Sequence, residues 1–181
     1  MEHSSARNDS EEYPVVELVQ VGPCNEEVVS GLIAAIEQMA EISGASEQMM
    51  SRFVSKRRPG ISIADYVKRL RQFFFCSMES FVLCMIYIDR LAQRRKDVVA
   101  VSPLSAHRLL ACALTLAAKF HDDVFYSNAY YAKVAGFRLQ DFNQLEKEML
   151  QLLDSRLFVT PAEFELYRGV LVSAASAAAR P

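Results

Sequence analysis

Apolar residues recur at three- and four-residue steps along most of this chain, with few stretches of the strict alternation a strand requires. The pattern therefore predicts an all-α protein. From Asn25, a candidate N-cap, Val28, Val29, Leu32, Ile33, Ile36 and Met39 define an amphipathic face that runs to Gly44. A short helical turn is expected near Met49–Val54, before SKRRPG at 55–60 breaks the pattern with charge, Pro59 and Gly60. Ser62 can cap a helix from Ile63 to about Phe75, with Asp65 favourable near its positive end, and Ser77 can cap the next, which carries Phe81, Val82, Met85, Ile86 and Ile88. Ser102 and Pro103 are a start signal for a further helix reaching Phe120. A short helix at Asn128–Ala135 should stop at Gly136, and a longer one should run from Leu139 to about Leu153. Thr160, Pro161 and Glu163 form a capping-box signature for a last helix, whose alanine-rich end, SAASAAARP, carries no packing signal.

Two positions break the pattern. The helix from about Leu104 to Phe120 is apolar or small on nearly every side, the mark of a helix enclosed by others. Its polar members Arg108, Thr115 and Lys119 share one stripe beside the small Ala111 and Cys112, which suits close approach by a neighbouring segment. The plainer reading is that Lys119 snorkels and favours the negative end of the helix dipole. On the 139–153 helix, Glu146 falls inside the apolar arc of Phe142, Leu145, Met149, Leu150, Leu152 and Leu153. A carboxylate there needs a partner or an edge that reaches water, since burying it unpaired costs several kcal/mol, roughly.

Composition narrows the class without naming a function. The 181 residues suit one ordinary domain, and 51% hydrophobic with 23% charged residues is globular. A formal net charge of −2 gives no push toward nucleic acid or anionic membrane. Cys24, Cys76, Cys84 and Cys112 have no CxxC spacing, which points to a reducing compartment. The polar, acidic start lacks a secretory h-region, and residues 1–24 are expected to be disordered or draped. The apolar run Leu109–Ala118 is too short to span a bilayer. An intracellular protein, cytoplasmic or nuclear or both, is expected, with no cofactor and no small-molecule substrate.

The stretch LAAKFHDDVFYSN at 116–128 contains an HD dipeptide, His121-Asp122, as in helical metal-dependent phosphohydrolases. Such a site needs further ligands converging on one ion. His107 lies fourteen residues earlier on what reads as the same helix, about 21 Å away by helix rise, so the two histidines cannot share a metal. KRR at 56–58 and RRK at 94–96 could touch phosphate, which would suit a nucleic-acid-binding transcription-factor module, but each also reads as a solvated loop or helix end.

YIDRL at 87–91, HRLL at 107–110, AAKFHDDVFYSNAYYAKVAG at 117–136 and LEKEMLQLLDSRL at 145–157 together resemble the cyclin family, and within it the phosphate-starvation, or P- and U-type, cyclins. The resemblance implies one cyclin box of five helices over 61–167, preceded by a helix and basic linker at 25–60 and followed by a helix end and tail at 168–181. It implies an activator of a cyclin-dependent protein kinase in cell-cycle or phosphate signalling, with no catalysis of its own. In the family, a Lys and a Glu that fall here on Lys119 and Glu146 reach main-chain groups of the kinase beside its αC helix. Asp123 and Tyr126 are further candidates for that interface. Asp89 and Arg90 match the family's structural pair, with Asp89 expected to hold a cation from another helix. The usual arginine position falls on Gly60, so Arg69, Arg71 or Arg108 would have to substitute. The family's substrate-docking Trp falls near Tyr66 without its Met and Leu neighbours, so docking of RxL-type substrates is not implied.

Overall fold

The computed structural model describes residues 23–43, 51–95 and 98–180, with side chains of the first helix described from Glu26. Among the described residues the backbone forms seven helices and no strand: α1 Pro23–Ser43, α2 Ile63–Phe73, α3 Met78–Arg94, α4 Ala106–His121, α5 Asn128–Ala135, α6 Leu139–Leu152 and α7 Pro161–Ala178. This is the all-α architecture the hydrophobic periodicity predicts. No helix among them is long and apolar enough to cross a membrane. The expected tail, Cys24, the Asn25 side chain and Met49–Met50 lie outside the described residues, although α1 already begins at Pro23.

The helix ends follow from local chemistry. The hydroxyls of Ser62, Ser77, Ser127 and Thr160 each accept the backbone N–H three residues on, satisfying donors that the first turn leaves without partners. Gly136 closes α5 at φ 80°, a left-handed conformation that glycine adopts without steric penalty. The predicted start at Ser102–Pro103 is displaced to Ala106. The reason is local competition: the Ser105 hydroxyl accepts the Ser102 N–H at 2.9 Å and donates to the Ala100 carbonyl at 2.5 Å, holding 102–105 in a turn. Near 51–54 the chain makes a turn closed by Val54 N–H on the Ser51 carbonyl at 3.1 Å, and it drives Phe53 fully into the core.

Helix α4 is the axis of the molecule. From Ala106 to Ala118 every residue except Arg108 is buried. Its small Ala111, Cys112, Ala113, Ala117 and Ala118 let neighbouring helices approach, with α3, α2, α5 and α6 packed around it. Polar groups carried inside are accommodated locally. The Thr115 hydroxyl donates to the Ala111 carbonyl at 2.9 Å. His107 Nε2 lies 2.9 Å from the Ile61 carbonyl, and its ring stands 4.8 Å from that of Tyr66. Tyr66 is itself buried and donates to the Ala135 carbonyl at 3.0 Å, tying α2 to the end of α5.

One continuous core runs from Val28 of α1 to Leu171 of α7, so the two flanking helices share the interior of the central five. They pack closely on each other because Gly31 faces the backbone of Leu171, and a Cβ at Gly31 would stand 1.9 Å from that carbonyl oxygen. Gly31→Ala gains about 1 kcal/mol of helix propensity but must push α7 away, so a net loss of about 1–3 kcal/mol is expected, read as a fall in Tm. A second expectation concerns pH. Burial holds His107 below its usual value of 6.5, so the folded state resists a proton that the unfolded state accepts. Its contribution is therefore intact above about pH 6.5 and shrinks as pH falls below that, and His107→Gln should flatten this part of the stability-against-pH curve measured by urea unfolding.

Candidate functional site

Lys119 stands in the last turn of α4, where the enclosed helix reaches the surface and a cation is favoured by the dipole. Its Nζ donates to Glu146 Oε1 of α6 at 2.8 Å. The two positions singled out by periodicity thus meet across 27 residues of chain, with side chains 30% and 16% exposed. Phe142, Leu145 and Met149 bury the inner face of α6, which sets Glu146 at the edge of that face beside Lys119.

Asn128 completes the cluster. Its Nδ2 donates to Glu146 Oε2 at 2.6 Å and to Asn143 Oδ1 at 2.8 Å, so one amide bridges two side chains a turn apart on α6. Ser127 takes the cap and Asn128 becomes the first residue of α5, free to reach across. The Ser-Asn doublet is the only sequence signal for this, since two good caps in succession leave one without a helix to close. The bridge fixes Glu146 on the side away from Lys119. Asn128 Oδ1 is buried and has no hydrogen-bond partner among the described residues.

The HD pair divides differently. Asp122 accepts from the Ser77 N–H at 2.9 Å, from the Ser77 hydroxyl at 2.5 Å and from the Ser80 hydroxyl at 3.2 Å. Its carboxylate thus sits at the N-terminus of α3 and joins it to the end of α4, a favourable place for negative charge. His121 is exposed, and His107 lies at the opposite end of the same helix. Among the described residues no group of three or more His, Cys, Asp or Glu is placed to hold a metal ion. Asp123 is exposed in the turn after α4. Tyr126 turns inward, its ring 4.6 Å from Tyr130 and 5.8 Å from Phe75, while its N–H donates to the Tyr131 hydroxyl at 3.1 Å. In the Phe73-Phe74-Phe75 run only Phe74 is core, packed 4.7 Å from Tyr131.

Asp89 and Arg90 are separated in function. Among the described residues no cation pairs with Asp89; its Oδ2 accepts instead from the Tyr167 hydroxyl and from Gln93 Nε2. Arg71 pairs with Glu26 at 2.6 Å, and Arg108 donates to the Arg52 carbonyl at 2.6 Å, so neither serves Asp89. A neutral phenol suffices because Asp89 is only partly buried. Burial and the Asp89 carboxylate both push the Tyr167 hydroxyl up, which keeps it a donor. Arg90 grips the link after α6, donating to the carbonyls of Arg156 at 2.7 Å and Phe158 at 3.1 Å and to Glu163 at 2.9 Å.

Chemically, the Lys119 cluster has spare hydrogen-bonding capacity. An ammonium has three donors and a carboxylate about four acceptor positions, so each retains hydrogen-bonding ability after pairing with the other. A main-chain carbonyl and amide of a partner could be met together without breaking the pair.

The cyclin family profile matches residues 11–157. Cyclin-U1-1 of Arabidopsis thaliana is 40% identical over 140 residues, covering 77% of this chain and 66% of that protein. Cyclin-P4-1 of Oryza sativa subsp. japonica is 40% identical over 130 residues, covering 72% and 61%. PHO85 cyclin-like protein psl1 of Schizosaccharomyces pombe is 34% identical over 121 residues, covering 67% and 50%. The chain belongs to the cyclin family and is similar there to P- and U-type members. Its matches span about two-thirds or less of the length of the first two of these relatives.

The two halves of the HD pair should separate on mutation. Asp122→Ala removes the carboxylate from three donors at the start of α3 and is expected to lower stability by about 1–2 kcal/mol. His121→Ala should stay within about 0.5 kcal/mol of wild type. Chemical denaturation of both variants measures the difference.

Proposed function

We propose that this chain is the regulatory subunit of a cyclin-dependent protein kinase, which it activates by binding the inward position of the kinase αC helix. Membership of the cyclin family supports the partner class, and one relative is itself named for its likeness to a PHO85 cyclin. The observation that carries the reading is the Lys119–Glu146 pair at the surface, 2.8 Å apart and steadied by Asn128 at 2.6 Å.

A kinase site works only when the Glu of its αC helix pairs with the strand lysine that holds the ATP phosphates. A subunit that binds only the inward arrangement shifts that equilibrium by its differential affinity, and a hundredfold shift needs about 2.7 kcal/mol. Hydrogen bonds from a charged donor and a charged acceptor to exposed main-chain groups of the kinase each contribute about 1.5–3 kcal/mol, enough for such a shift. The chain itself performs no bond chemistry in this reading. Asp123, exposed in the turn after α4, would lie at the margin of the interface, while Tyr126 would support it from behind.

The test is a pull-down of candidate cyclin-dependent kinases followed by a phosphorylation assay. Lys119→Ala and Glu146→Ala are each expected to weaken binding about ten- to hundredfold and to lower activation, with Asn128→Ala intermediate. A folded Lys119→Ala, Glu146→Ala double variant that activates the bound kinase fully would refute the mechanism.

A further inference from the structure

A second surface lies between the end of α3, the α6–α7 link and the first turns of α7. It is a groove of about 580 Å³ whose walls carry three guanidiniums, those of Arg90, Arg94 and Arg156, against one carboxylate, Glu163. Arg90 and Glu163 are already committed to each other at 2.9 Å. Arg94 and Arg156 are exposed, and neither forms an ion pair among the described residues. Asp154, the nearest acid in the link, pairs instead with Arg95 at 3.2 Å. The groove thus holds an excess of positive charge in a chain whose net charge is −2.

Apolar surface lies in the same concavity. Phe158 is 70% exposed and Phe120 54%, and both line the groove. Phe158 is not loose: its carbonyl is held by Arg90, and the link begins with Asp154 and Ser155 at φ 51° and 56°, a left-handed pair that no glycine eases. Backbone held in this region is retained where the surrounding contacts over-determine it. A fixed concave site with exposed rings beside uncompensated guanidiniums fits a ligand that brings both an anion and an apolar group.

We infer that this groove docks a phosphorylated segment of a partner protein. Its phosphate is held by Arg94 and Arg156, and a neighbouring apolar side chain lies against Phe120 and Phe158. A phosphate brings close to two negative charges and three acceptor oxygens, which match two guanidiniums better than one carboxylate can. The inference does not depend on the kinase reading, since the residues that carry it lie outside the Lys119 cluster.

The experiment uses the full chain and a peptide library with a fixed central phosphothreonine and degenerate flanks, beside matched libraries with threonine or glutamate at the fixed position. Expected are at least tenfold greater retention of the phosphorylated library and selection of apolar residues next to the phosphate. Arg94→Ala with Arg156→Ala should abolish the preference without changing Tm, and Lys119→Ala with Glu146→Ala should leave it intact. Equal retention of the phosphorylated and threonine libraries would overturn the inference, as would a preference that survives the double arginine variant. Arginine-dependent binding to phosphatidylserine vesicles without phosphopeptide selection would overturn it in favour of a membrane surface. Kinase pull-down by the double arginine variant is scored separately, so failure of either reading is seen apart from the other.

Discussion

The enclosure of α4 is the constraint on which the rest of the structure depends. A helix buried on nearly every face from Ala106 to Ala118 needs neighbours all around, and α2, α3, α5 and α6 are arranged as those neighbours. Its interior polar groups, Thr115 and His107, are absorbed by main-chain carbonyls within reach. Apart from Arg108, only the last turn escapes. Lys119 and Phe120 therefore emerge from a support as rigid as the core itself, and a site held by rigid helices keeps its geometry better than one on a loop.

The junction at the end of α4 shows how this rigidity is transmitted. Asp122 leaves α4 and closes on Ser77 and Ser80, so the end of one helix caps the start of another. The Tyr131 hydroxyl then holds the turn by accepting the Tyr126 amide N–H, and Asn128 enters α5 already aimed at Glu146. Asp122 of the conspicuous HDD run thus serves the architecture around the lysine. The Lys119–Glu146 pair contributes little to folding by comparison, because partly exposed ion pairs are worth about 0–1 kcal/mol.

What was legible in the sequence was local or periodic. Helices and most caps could be read because a hydroxyl and the N–H three residues on lie within one turn, and the centrality of α4 because it is apolar or small on nearly every side. Periodicity marked Lys119 and Glu146 as unusual one at a time; the family resemblance implied a shared partner for them, and their direct contact across 27 residues leaves no trace in either helix alone. Contacts that depend on relative helix placement were hidden altogether. Tyr167 stands 78 residues from Asp89, and the demand for glycine at Gly31 comes from the backbone of Leu171. Ser105 displaced the start of α4 because two hydroxyls three residues apart competed for the same turn.

The two surfaces differ in electrostatic design, and that difference limits what each can recognise. At the Lys119 cluster a cation and a carboxylate cancel at 2.8 Å, leaving directional hydrogen bonds but little net field, which suits the neutral carbonyls and amides of another backbone. In the groove, Arg90 and Glu163 cancel in the same way but Arg94 and Arg156 do not, so the field there survives and favours an anion. Consecutive residues on a helix diverge by about 100°, so Lys119 and Phe120 leave the same turn of α4 toward different surroundings. One buried helix can therefore present a neutral polar pair on one side and an aromatic wall of a basic groove on the other.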